Sequence, residues 1–375
     1  MPESPPTPRK PRRRRFAVGL RALMALIVVV AAGLGWKVNR VRDQKRAVAR
    51  IEAAGGFAIY DFSFDGTYPY KNVEGPAAPA WLRRTLGDEF FQEVTAVKFY
   101  NDKATDADLV AVAACDHLLA FELHDNTKVT DVGLARLRGL KHLRIVELLG
   151  SKIGDAGLAH LAALPDLRRL WLRDRDTPIE EIHEESKRRF LADPSTFPSY
   201  HSVAGDLRRR KGDAITGKGL AHLEAATRLE RLELSCPALR GEDFAHLAKL
   251  TGLRQLFVNG TSVAGPGLAH LAKLTGLVEL SFAATDIDDA SLAHLARLTG
   301  LVELDLSLNS LFTDAGLAHL AGLKALRKLD LEGTPASDQA ITGLVEAIPG
   351  LVVSRGQGPF LVPPPPRPPE MFQLP

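Results

Sequence analysis

A five-residue signature, GLAHL with close variants, returns along this chain at nearly constant spacing, and that period fixes what the chain can fold into. Its copies start at Gly133, Gly157, Gly219, Asp243, Gly267, Ser291 and Gly316, giving steps of 24, 62, 24, 24, 24 and 25 residues. The step of 62 is one period plus an insertion of about 38 residues, after which the rhythm resumes. Self-similarity at a fixed period of this size marks a solenoid, in which each unit covers the apolar face of the next.

Each unit carries a second signature, L-x-x-L-x-L. It reads Leu167-Leu170-Leu172, Leu229-Leu232-Leu234, Leu253-Leu256-Val258, Leu277-Leu280-Phe282, Leu301-Leu304-Leu306 and Leu326-Leu329-Leu331. Looser copies are Val94-Val97-Phe99, Leu118-Phe121-Leu123 and Leu143-Val146-Leu148. Alternation over the last three positions is the period of a strand with one buried face. GLAHLAxL places apolar residues at helical spacing, as in Leu268, Leu271 and Leu274. One strand and one helix per unit predict strands stacked in parallel. Threonines between strand and helix, as in Gly260-Thr261, Ala284-Thr285 and Gly333-Thr334, can satisfy turn backbone. Asp155 and Asp314 suit an N-cap or first-turn position.

The repeated units resemble bacterial leucine-rich-repeat proteins, and their length and G-L-A core look like the GALA type. The resemblance covers residues 94–354, nine repeats and a terminal strand. It implies an α/β solenoid, a horseshoe with a parallel concave β-sheet and convex helices, and binding on the concave sheet. An N-terminal anchor with a cap before the repeats is similar to membrane-attached bacterial members. The insertion, residues 174–212, departs from the pattern and interrupts the expected continuity of the concave face.

The residue between the last two leucines of each strand points to the concave face. That column reads Lys98, Glu122, Glu147, Trp171, Glu233, Phe257, Ser281, Asp305 and Asp330. The flanking column includes Arg169, Arg231, Gln255, Glu279, Glu303 and Lys328. Trp171 and Phe257 are large aromatics where solvent is expected, with Glu233 between them and Arg169, Arg173 and Arg231 near. Aromatic and arginine side chains in one patch are the usual anchors of an interface. These six residues are the candidate partner-binding site. The competing reading is that the insertion folds back and buries Trp171. The insertion itself either overhangs one rim and takes part in binding, or is an idle loop.

Ahead of the repeats, residues 1–15 form a basic tail and residues 16–36 an apolar run with Arg21 as its only charge. A span needs roughly 20 apolar residues, so this run reads as a single N-terminal transmembrane helix, or as a cleaved signal segment ending in Val30-Ala31-Ala32. The dense early basic cluster favours a cytoplasmic N-terminus and an extracytoplasmic repeat domain. Lys37, Arg40, Arg42, Lys45 and Arg46 follow the run and suit anionic lipid headgroups. Residues 37–56 read as a charged juxtamembrane helix closed by Gly55-Gly56. The aromatic-rich stretch 57–93, with Tyr60, Phe62, Phe64 and Trp81, reads as the cap of the first repeat. Residues 355–375 form a proline-rich tail.

A net charge of +3 and no basic cluster with interleaved aromatics in the repeats argue against nucleic acid. Two distant cysteines, Cys115 and Cys236, form neither a disulfide framework nor a metal pattern. His160, His222, His246, His270, His294 and His319 fall one per repeat, which repetition alone explains, so no metal is expected. Gly212 to Gly219 nearly spells a phosphate-binding loop but ends in glycine where the magnesium ligand belongs. With no catalytic motif, cofactor or small-molecule substrate indicated, the expected function is binding of a protein partner by a membrane-anchored repeat module. The alternatives are a structural or self-associating envelope protein and a secreted protein with a cleaved signal.

Overall fold

The structure is a computed structural model that describes residues 20–64, 75–174, 215–261, 263 and 265–355. The basic tail, all of the insertion but Asp174, and the proline-rich tail beyond Arg355 lie outside the described residues.

Eleven strands form one sheet in chain order: β1 (Gly56–Tyr60), β2 (Val94–Phe99), β3 (Ala120–His124), β4 (Ile145–Ser151), β5 (Arg169–Asp174), β6 (Arg231–Ser235), β7 (Gln255–Val258), β8 (Glu279–Ser281), β9 (Glu303–Asp305), β10 (Lys328–Asp330) and β11 (Val352–Ser354). From β2 onward every neighbouring pair is parallel, with one register shift between Leu149 and Ser151 at the end of the β4–β5 pair and Leu232 beside Leu170 on one side and Leu256 on the other. The chain is a leucine-rich-repeat solenoid. Its signature leucines form one continuous core, with Leu229, Leu232 and Leu234 fully buried. The return segments are α-helical in some repeats (Asp155–Ala162, Gly217–Leu223, Asp289–Leu295) and tighter 3₁₀ turns in others (Gly241–Lys249, Pro266–Lys273).

Polar links join successive repeats. The carboxylate of Asp289, the first residue of its helix, accepts from the backbone N–H (2.6 Å) and hydroxyl (2.8 Å) of Thr313, the N-cap of the next repeat. Asp106 binds Thr130, Asp155 binds Thr216 and Asp314 binds Ser337 in the same way. Asp155 and Asp314 thus sit in the first helical turn but reach forward to the next unit. This link also explains the glycine of the signature: a Cβ on Gly316 would stand 2.1 Å from the Asp289 carboxylate, and one on Gly219 would stand 2.4 Å from that of Asp155. Thr216 belongs to this ladder, so the near-match to a phosphate loop is the N-cap of an ordinary repeat helix.

The turn after each strand uses buried side chains. Thr285 and Thr334 donate to the carbonyls of Phe282 and Leu331, each at 2.8 Å. Asn309 does more, donating to the carbonyls of Phe282, Leu306 and Ser307 while its Oδ1 accepts from Thr285 and Ile287.

At the N-terminus one helix, α1 (Leu20–Ala53), runs without a break from the apolar segment onto the solenoid. Its last turns bury Ala47, Val48 and Ile51 in the core, and β1 pairs antiparallel with β2. Lys37 and Arg40 pair with Glu93, Arg40 also with Asp116, Lys45 with Glu89 and Arg50 with Asp108. Lys37, Arg40 and Lys45, which sequence alone directs to lipid headgroups, therefore hold carboxylates on either side of β2. The part of α1 that is long and apolar enough to cross a membrane has nothing packed over it among the described residues.

Candidate functional site

Pleating sends alternate strand residues to opposite faces, so the fixed register turns sequence columns into rows across the concave sheet. Trp171, Glu233 and Phe257 occupy one row on β5, β6 and β7, and Arg169, Arg231 and Gln255 the row beside it. Arg173 follows Trp171 along β5. All six candidate residues are half-buried on one contiguous stretch of sheet.

The centre of this patch is Arg231. Its guanidinium carbon lies 5.2 Å from the centroid of the Trp171 ring and 4.3 Å from that of Phe257, within cation–π range of both. Glu233 Oε2 stands 3.6 Å from one Arg231 nitrogen, and Gln255 accepts from another at 3.3 Å. The third, Nε, is buried and has no hydrogen-bond partner among the described residues. Burial pushes the Glu233 carboxyl above the ordinary carboxylate value; the charge and hydrogen bond of Arg231 only partly oppose this, and Glu147 adds to it. Arg169 lies in register with Arg231, two like charges on adjacent strands.

Trp171 has a second neighbour that the sequence columns do not reveal. Phe64 lies fully buried against Ala96, Ala120 and Ile145, which belong to the concave flanking row, and Trp171 packs on the edge of this cluster. The chain after β1 therefore folds over the concave face at β2–β4, and the open part of that face begins at Trp171. The only signal in the sequence is that the flanking row is apolar at those three strands and charged or polar from Arg169 to Lys328.

Beyond the patch the concave face continues as a hollow of about 340 Å³ bounded by Phe257, Glu279, Asp305, Lys328, Asp330 and Ser354. On the other side, Lys98 pairs with the buried Glu122 at 2.8 Å, and the Tyr100 hydroxyl donates to Glu122 at 2.8 Å. His124 stands against Tyr100 edge-on, its Nε2 3.5 Å from Glu147. Glu122, His124 and Glu147 bring three metal-ligating atoms within 4.8 Å of one another. The Lys98 ammonium already neutralises Glu122, which supplies the positive charge a metal would bring. The six repeated histidines lie apart from this group, on the return helices, where His246 pairs with Glu224 at 2.8 Å.

No protein-family model matches the sequence, and no curated protein matches it. Among solved structures, a crystal structure of internalin C2 from Listeria monocytogenes is similar at 22% identity and a TM-score of 0.43, over 67% of this chain and 84% of that one.

Proposed function

We propose that this chain is a membrane-anchored recognition module that binds a protein partner on its concave sheet, at the patch formed by Trp171, Arg231, Glu233 and Phe257 with Arg169 and Arg173 beside it. The observation that carries this reading is the clamped Arg231: a guanidinium fixed between two aromatic rings on a solvent-facing sheet. Ordering such a residue costs side-chain entropy, and a clamp formed in advance lowers the part that falls due on binding. Aromatic and arginine anchors of this kind supply most of the affinity in protein interfaces. Recognition here rests on shape and charge with no chemical step.

The anchor is the apolar part of α1. Because α1 is continuous into the packed cap, it holds the repeat domain close to the bilayer on a rigid stem, with the repeats on the extracytoplasmic side. Intact mass of the protein from native membranes distinguishes an uncleaved anchor from a removed signal. For the binding face, crosslinked pull-downs from those membranes compare the wild type with a folded Trp171→Ala/Phe257→Ala variant. The proposal expects a protein enriched by the wild type and lost from the variant; equal recovery by both defeats it in favour of a structural role.

A further inference from the structure

The charge pattern of the concave sheet restricts what the partner presents to it, an inference that rests on the proposed binding face. Within the patch three guanidinium groups, Arg169, Arg173 and Arg231, face one carboxylate, Glu233. Neither the Arg169 nor the Arg173 side chain makes a hydrogen bond or ion pair among the described residues. Arg231 can add only its terminal nitrogens, since its Nε is closed to solvent. Arginines placed side by side with spare donors are set for a planar anion, which each guanidinium can bind through two nitrogens.

The basic strip is only two strands wide. Adjacent strands stand about 4.8 Å apart, so β5 and β6 with their side chains command roughly 10 Å of the face. On one side of the strip is Glu147, and on the other are Glu279 and Asp305. Two further carboxylates are matched by lysines, Glu122 by Lys98 and Glu303 by Lys328. An extended polyanion that reached the arginines would run onto carboxylates in either direction. A phosphate dianion is also disfavoured, since Glu233 already stands 3.6 Å from Arg231 and repels a second negative charge in proportion to its size.

We propose that the partner is a protein segment bearing one or two adjacent aspartate or glutamate side chains, which bind Arg169, Arg173 and Arg231, with neutral or basic residues to either side. Like-charge rejection by the flanking carboxylates then makes the site selective for a short acidic cluster over an acidic tract or a nucleic acid.

The test uses the full chain in nanodiscs of neutral lipid and fluorescence anisotropy with labelled twelve-residue peptides. One peptide has Asp-Glu at the centre of a Gly/Ser/Lys sequence, one has Asn-Gln there and one phosphoserine; dodecaglutamate and a single-stranded oligonucleotide complete the set. The Asp-Glu peptide is expected to bind about tenfold or more tightly than the Asn-Gln peptide, as charge-assisted hydrogen bonds allow, and more tightly than either polyanion. Arg169→Gln/Arg173→Gln is expected to abolish that preference, and an unchanged melting temperature shows that the variant is folded. Equal binding of the Asn-Gln peptide, tightest binding of the phosphopeptide or a polyanion, or no binding of the Asp-Glu peptide at millimolar concentration overturns the proposal. Any of these leaves the concave-face reading standing, because that reading is decided separately by the partner's dependence on Trp171 and Phe257.

Discussion

The Arg231 guanidinium carbon stands 4.3 Å above the centroid of the Phe257 ring, on the neighbouring strand, with Trp171 closing the other side at 5.2 Å. A cation held this way couples energetically to its ring by about 0.5–2 kcal/mol, depending on desolvation. A double-mutant cycle of Arg231→Ala and Phe257→Ala, read by chemical denaturation, should show coupling in that range. Arg231→Lys should recover little of it, because an ammonium cannot stack between two rings as a planar guanidinium does.

The repeat ladder makes a prediction about a residue without a side chain. In Gly316→Ala the new methyl would lie 2.1 Å from a carboxylate that Thr313 holds with two hydrogen bonds. The variant should lose about 1–3 kcal/mol, as overpacked sites do. The loss should shrink in an Asp289→Ala background, where most of the obstruction is gone. Denaturation midpoints of the two single variants and the double variant check this.

These elements differ in how far the sequence disclosed them. The leucine positions were legible because every unit repeats them, so a core position such as Leu232 is stated by its register with Leu170 and Leu256. Trp171 and Phe257 could be placed two strands apart by the same arithmetic. What sits between the rings could not: the column puts Glu233 there, yet Arg231 from the adjacent row fills the space because its long stem reaches across the pleat. Phe64 was read only as part of a cap, and its place on the concave face was hidden for a different reason. It lies in a stretch outside the period, so nothing local fixes where it packs, and its contacts with Ala120 and Ile145 are set by tertiary structure alone. The turn residue Asn309 recurs too irregularly in the sequence to be noticed, although it satisfies several backbone groups at once.

Asn309→Ala should therefore be costly out of proportion to its size. Removing the amide strands the buried Leu306 carbonyl and two backbone N–H groups, while the Phe282 and Ser307 carbonyls keep Thr285 and Ala284 as donors. The expected loss is about 2–4 kcal/mol, from the penalty for buried groups left unpaired. Since each repeat leans only on its neighbours, hydrogen exchange should accelerate first around residues 282–310 and least at β2–β4.

Glu233 gives the concave patch a pH signature. Burial raises its folded-state value above that of the unfolded chain, so between those two values the native state binds more protons and stability falls as pH rises. Above the raised value the penalty is complete. Glu233→Gln should therefore raise the melting temperature at neutral pH and flatten this part of the stability profile. Below the ordinary carboxylate range the two proteins should converge. Melting curves across pH 3–8 decide it; a variant less stable than wild type at neutral pH would show that the Arg231 pair outweighs burial.

Docking of another protein on the open concave face, from Trp171 onward, can be trapped covalently. A photocrosslinking residue, p-benzoylphenylalanine, is placed at Gln255 beside Arg231, and in a control at Ala318, exposed on a return helix. After irradiation of native membranes, the concave-face reading expects one adduct with a second protein from position 255, lost when Trp171→Ala/Phe257→Ala is added, and none from position 318. Adducts of equal yield from both positions, or only with a second copy of this chain, would contradict it.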